Sequence, residues 1–282
     1  MTMEFIPRLT GRVRRFYRRK TRKIELSKRQ VFVLTTGILT CLLVLTQLVP
    51  AELRLQMVGL LALLCYALAA LSLREDLNGI EWLTLLTLPT MFTAGVSLFY
   101  FLLPERWLTR IPVAALYALG IYALLLTENI YNVAVNRTIA LLRAAHTIGF
   151  LLTLVTFFLL TQTLFALRLN PFLNAAVIMV LAWLLYSQAL WSILLTAQLG
   201  SIVRRVSIIL SIGIGELAML ISFIPATSTA ASLFLTTWFY ITAGISQQYL
   251  LERMYKKTIA EFAVVFAIVF IFFLIITDWR GM

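Results

Sequence analysis

Nine runs of this sequence are long and apolar enough to cross a bilayer, and they leave little chain for anything else. They fall at about 31–50, 55–73, 80–103, 111–131, 144–168, 171–198, 206–225, 228–250 and 260–277. A spanning helix takes about 20 mostly apolar residues. In lipid the backbone must satisfy its own hydrogen bonds, so spans are helices or closed barrels. Continuous apolar runs do not carry the alternating pattern of a barrel strand. The fold class expected is therefore all-α, a polytopic integral membrane helix bundle of about nine transmembrane helices. Pro50, Pro104, Pro112, Pro171 and Pro225 fall at expected span ends, where proline is tolerated.

Composition agrees with that class. Of the 282 residues, 61% are hydrophobic and 13% charged. A soluble domain carries about 25% charged residues. Cys41 and Cys65 both sit inside expected spans and read as small apolar fillers, with no disulfide or metal site implied.

Charge divides the chain in two. Residues 1–30 hold eleven Lys and Arg against Glu4 and Glu25, so most of the net +12 belongs to this tail. It is read as a basic cytoplasmic amphipathic tail, and 31–282 as the transmembrane helical domain. The connections reach only about a dozen residues, too short for a folded module. No A-x-A-like site follows the basic region, so a cleaved signal peptide is not expected.

The same charges orient the bundle. With nine spans, 19 of the 24 Lys and Arg fall on the side of the tail and 5 on the other. Positive loops stay in the cytoplasm. The expected location is the cell (cytoplasmic) membrane, N-terminus inside and C-terminus outside.

Within the tail, Ile6, Leu9, Val13, Phe16, Tyr17 and Ile24 share roughly a third of a helix circumference. Arginines fill most of the rest. Arg12, Arg15, Phe16 and Arg19 are the candidate lipid-surface contacts, with anionic headgroups as partner. A purely topological role for these charges remains open. A membrane-protein partner is a further possibility. Nucleic acid is disfavoured, since Phe16 and Tyr17 alone are thin support for base stacking.

Two groups of polar residues stand in apolar surroundings. Glu216 falls near the centre of the seventh span, where a carboxylate is expensive and usually faces the bundle interior. Tyr186, Ser187, Gln188 and Tyr240 lie at matching depth and complete a candidate intramembrane polar site. Its two readings are a structural hydrogen bonder and a proton, ion or substrate site. Gly213-x-Gly215-x-x-Ala218 formally matches a dinucleotide fingerprint, but it has no preceding strand. Those glycines read as sites of close helix approach.

The second group is Glu128, Asn132, Asn136, Arg143 and His146. On one continuous helix these would share about 80° of arc. If a turn divides them, Glu128 and His146 still share a depth near the cytoplasmic interface. This candidate interfacial polar cluster reads as a wetted hairpin or as a site for a lipid headgroup or small anion.

Little supports catalysis. The chain has one His and two Asp, Asp76 and Asp278. It lacks paired Asp-rich, H-E-x-x-H, G-x-S-x-G and C-x-x-C patterns. No catalytic residue, cofactor or metal is expected.

The stretch from Thr127-Glu128-Asn129-Ile130-Tyr131-Asn132 through Asn136-Arg137-Thr138 to Leu142-Arg143-Ala144-Ala145-His146 resembles an uncharacterised multi-pass membrane protein family of candidate-phylum bacteria. That resemblance covers most of the membrane domain and implies no known activity. The leading expectation is an uncharacterised, non-enzymatic bacterial membrane protein. It would act through lipid or protein interaction at the cytoplasmic face. The alternative is a small transporter or permease-like component with Glu216 in its path. A lipid-modifying membrane enzyme is third.

Overall fold

A computed structural model describes residues 27–46, 48–73, 81–103, 107–135, 140–196 and 198–277. The tail residues Arg12, Arg15, Phe16 and Arg19, and Asn136, lie outside the described residues. Nine long helices follow one another: α1 (Lys28–Thr46), α2 (Arg54–Leu73), α3 (Glu81–Leu102), α4 (Trp107–Ala134), α5 (Leu142–Ala166), α6 (Pro171–Leu194), α7 (Ser201–Ser222), α8 (Ser228–Leu250) and α9 (Lys256–Ile276). No strand occurs among the described residues. The chain is an all-helical bundle of the membrane-spanning type, as its apolar runs require.

Helix ends carry local signals. Pro171 opens α6, and the Asn170 side chain accepts from Phe172 N at 3.0 Å. Thr227 caps α8 by accepting from Ala230 N. Leu195 closes α6 in the left-handed conformation, with φ 46°. Several helices begin earlier than the apolar runs: α1 includes Lys28 and Arg29, α7 Arg204 and Arg205, and α9 Lys256 and Lys257. Long basic side chains at a helix end reach back to the interface, so charge there does not stop the helix. Pro112, expected at a span end, instead sits inside α4. Pro89 lies within α3, and its carbonyl accepts from Thr93 Oγ1 at 2.8 Å.

Eight of the nine helices are long and apolar enough to cross a membrane on composition alone. The exception is α8, which carries Ser232, Thr236, Thr237, Thr242 and Gln247. It packs against α5, α6, α7 and α9. Three of its hydroxyls bond back to its own carbonyls, Ser232 to Ser228 O at 2.7 Å, Thr237 to Leu233 O at 2.9 Å and Thr242 to Trp238 O at 2.8 Å. Protein neighbours and internal bonds replace the apolar surface that a lipid-facing helix needs.

Helix α3 is the most enclosed span and α9 the least, at 61% and 11% buried. Phe262, Phe266, Phe270 and Phe273 of α9 pack on Phe234, Trp238 and Tyr240 of α8. At one end, an apolar cluster gathers Phe32, Leu73, Leu85, Leu125, Ala145, Leu190 and Val203. These come from the starts of α1, α3, α5 and α7 and the ends of α2, α4 and α6. This is the end to which the Lys/Arg-rich connections belong, and it is called the basic end below.

Candidate functional site

One group of buried carboxylate and amide side chains lies at the basic end. Glu128, Asn132 and Tyr131 occupy the last turns of α4 and are buried, at 0%, 1% and 1% exposure. Gln188, near the end of α6, is 2% exposed and donates from Nε2 to Glu128 Oε1 at 3.3 Å. Four side-chain oxygens and nitrogens of this group have no hydrogen-bond partner among the described residues. They are Glu128 Oε2, Gln188 Oε1, and Asn132 Oδ1 and Nδ2. A buried polar atom left unpaired costs about 1–3 kcal/mol, which makes this group a candidate site.

The surrounding groups are satisfied and fixed. Tyr131 Oη donates to Ala145 O at 2.9 Å, joining α4 to α5. His146 Nε2 lies 2.8 Å from Ser192 O, joining α5 to α6. A carbonyl only accepts, so Nε2 carries the hydrogen. Trp191 Nε1 donates to Thr196 O at 2.9 Å and Gln247 Nε2 to Ala189 O at 3.0 Å. These bonds tie the ends of α4, α6 and α8 to the start of α5 and give the polar group a rigid frame.

A cavity opens beside that frame. It lies between α3, α6 and the start of α7, and Leu83, Thr87, Trp183, Ser187, Gln188 and Arg204 are among its walls. It holds about 70 Å³, or about 420 Å³ with the space at its mouth. Leu83 and Trp183 are 49% and 38% exposed, which sets the mouth on the outer face of the bundle. Arg204 is exposed and sits in the first turn of α7. Gln188 is shared: one side of it lines the cavity and its amide bonds Glu128.

The two groups expected from sequence are thus redistributed. Gln188 joins Glu128 and not Glu216. Tyr186 is buried and its hydroxyl lies 2.6 Å from Thr242 Oγ1. Ser187 lines the cavity, and the Tyr240 ring packs between Phe150 and Phe262. Of the interfacial cluster, Glu128 and Asn132 are buried together, His146 is half-buried one helix away, and Arg143 is exposed. The continuous helix is not formed, because α4 ends at Ala134 and α5 begins at Leu142.

Glu216 is the main correction. It is exposed on the outer face of α7, with Ile208, Ile209, Ile212 and Leu220, and not turned into the bundle. The face of α7 that packs inward carries Ser207, Ser211, Gly215 and Ala218. A Cβ at Gly215 would meet Met179 Cβ at 3.0 Å, whereas one at Gly213 meets nothing within 4 Å. Only Gly215 therefore serves close approach. Glu216→Gln and Glu216→Leu should not lower unfolding stability by more than about 0.5 kcal/mol, since no packed contact is lost and a costly carboxyl leaves an outward-facing mid-span position. A thermal melt showing a loss of several kcal/mol would place this carboxyl inside the fold after all.

Sequence reasoning did not find Gln188 as the partner of Glu128, nor Arg204 and Thr87 as cavity walls. The usable signal was depth: Gln188 and Glu128 stand at similar distances from the basic ends of α6 and α4.

The pattern of one protein family, described as Protein of unknown function (DUF5656), matches residues 45–276. No curated protein and no solved structure matches the chain. The family match begins at the end of α1, so the basic tail lies outside it.

Proposed function

We propose that this chain, which belongs to that family of unknown function, is a non-enzymatic membrane protein that holds an anionic lipid headgroup at the cytoplasmic end of its bundle. One observation carries the reading. The cavity between α3, α6 and α7 combines an arginine at its rim with apolar walls open to the bundle's outer face. An amphiphile needs both: Arg204 offers planar, always-charged donors for a phosphate, and Leu83 and Trp183 offer a surface for the first part of an acyl chain. Ser187, Thr87 and Gln188 add hydroxyl and amide groups to the walls. Basic residues near an anionic leaflet contribute about 1 kcal/mol each, and the tail would add to the same attraction. Glu216 lies on the outer face of α7, away from this cavity, and has no part in the reading.

The test is lipid retention by the purified full chain. Native mass spectrometry in mixed phosphatidylglycerol and phosphatidylethanolamine should show preferential retention of the anionic lipid. Arg204→Gln should weaken it about fivefold, the equivalent of about 1 kcal/mol. Arg143→Gln is exposed at the same end but does not line the cavity, and should leave retention unchanged. Equal losses from both variants would reduce the effect to general surface charge and defeat the proposal.

A further inference from the structure

We propose that Glu128, Asn132 and Gln188 form a site for one desolvated monovalent cation of the sodium class, entered from the cavity that Gln188 lines. The claim does not rest on lipid binding. Glu128 and Asn132 are four residues apart on α4 and so share one face of that helix. Gln188 approaches the same place from α6 and contacts Glu128 directly. Glu128 Oε2, Asn132 Oδ1 and Gln188 Oε1 are three oxygens, each on a side chain at most 2% exposed and each without a hydrogen-bond partner among the described residues.

The chemistry of that set selects the occupant. Hard cations take carboxylate and amide oxygens. A proton on Glu128 gives one O–H donor, which can serve one of the other two oxygens, and Asn132 Nδ2 is the one further unpartnered donor of the group. A single cation is shared by all three. Charge points the same way. One carboxylate and one monovalent ion make a neutral site, which an apolar interior tolerates, whereas a divalent ion leaves a buried net charge. An anion is excluded by the carboxylate. Ionisable residues buried within a membrane bundle are expensive and mark ion or proton sites.

The frame suits an ion that must bind without rearranging the fold. Tyr131 and His146 are anchored on backbone carbonyls either side of the three oxygens' helices. Gln188 is the one ligand that also faces the cavity, so rotation of its amide is the natural gate.

The experiment uses the purified full chain in sodium-free choline buffer at fixed pH. Sodium chloride replaces choline chloride at constant ionic strength while Tm is recorded. The site predicts a saturable rise in Tm with sodium and none with choline, because a ligand of the native state stabilises it. Glu128→Gln keeps the shape and hydrogen bonding but removes the charge, and should lose the rise. Gln188→Leu should raise the sodium concentration at half-effect by about tenfold or more, as loss of one supporting group does. Glu216→Gln, on the outer face of α7, should respond as the parent does, and Arg204→Gln should keep a saturable rise with sodium while losing lipid retention, which separates this site from the lipid reading. If Glu128→Gln does not fold, the parent and Gln188→Leu titrations still decide. A parent protein with the same Tm in sodium and choline overturns the proposal, as does a Glu128→Gln protein that keeps the rise.

Discussion

Phe239→Ala is expected to lower unfolding stability by about 3–5 kcal/mol. Phe239 of α8 is fully buried. Its ring stacks on Phe157 of α5 with centroids 4.6 Å apart and on Tyr186 of α6 at 4.1 Å. The three rings hold three helices together at one level. Alanine would remove both stacks and leave a cavity that a rigid bundle cannot close. Phe239→Leu keeps most of the volume and should lose about 1.5 kcal/mol or less. Thermal or denaturant unfolding in detergent measures both. A loss near 1 kcal/mol for alanine, the size of an ordinary substitution, would mean that the ring stack does not form.

Gly149→Ala should cost about 1–3 kcal/mol through overpacking. A Cβ there would stand 2.5 Å from the Tyr131 hydroxyl and 3.3 Å from Thr127 Cγ2. Tyr131 is 1% exposed and its hydroxyl is committed to Ala145 O. It has nowhere to go without breaking that bond and disturbing the polar group beside it. Tyr131→Phe alone should cost about 1 kcal/mol for the lost bond. Combined, the two changes should cost less than their sum by about 0.5 kcal/mol or more, since removing the hydroxyl relieves the clash. Strict additivity would show that α4 and α5 do not meet at this point.

Helices were legible in the sequence because length and apolarity suffice to define a span. The expected span at 228–250 coincides with α8, and that at 55–73 differs from α2 by one residue. Facing was not legible, and α7 shows why. In a soluble helix the apolar side is the inner side. In lipid the outer side is at least as apolar, so Ile208, Ile209, Ile212 and Leu220 point outward while Ser207, Ser211 and Gly215 point inward. The small-residue spacing of that inner face puts Glu216 on the opposite side, and reading it first would have turned the carboxyl outward. The pairing of Gln188 with Glu128 needed tertiary packing, since the two residues are 60 positions apart.

The same inversion explains why the site sits at the basic end. Mid-bundle hydroxyls spend their bonding on their own carbonyls, as Thr153, Thr161 and Ser97 do. Carboxylate and amide side chains have no such internal acceptor for all their atoms. Glu128, Asn132 and Gln188 come together where α4 and α6 end, next to the cavity that Arg204 borders, and Gln162 and Asn174 lie at the opposite end.

Photocrosslinking tests the lipid site most directly. An anionic lipid carrying a photoreactive group near its headgroup would be irradiated with the full chain in bilayers, and the adducts mapped by mass spectrometry. Adducts should concentrate at Leu83–Thr87 of α3 and Trp183–Gln188 of α6, and unlabelled anionic lipid should suppress them more than zwitterionic lipid does. Adducts spread with equal yield over the exposed face of α9, or equal suppression by both lipids, would contradict the account.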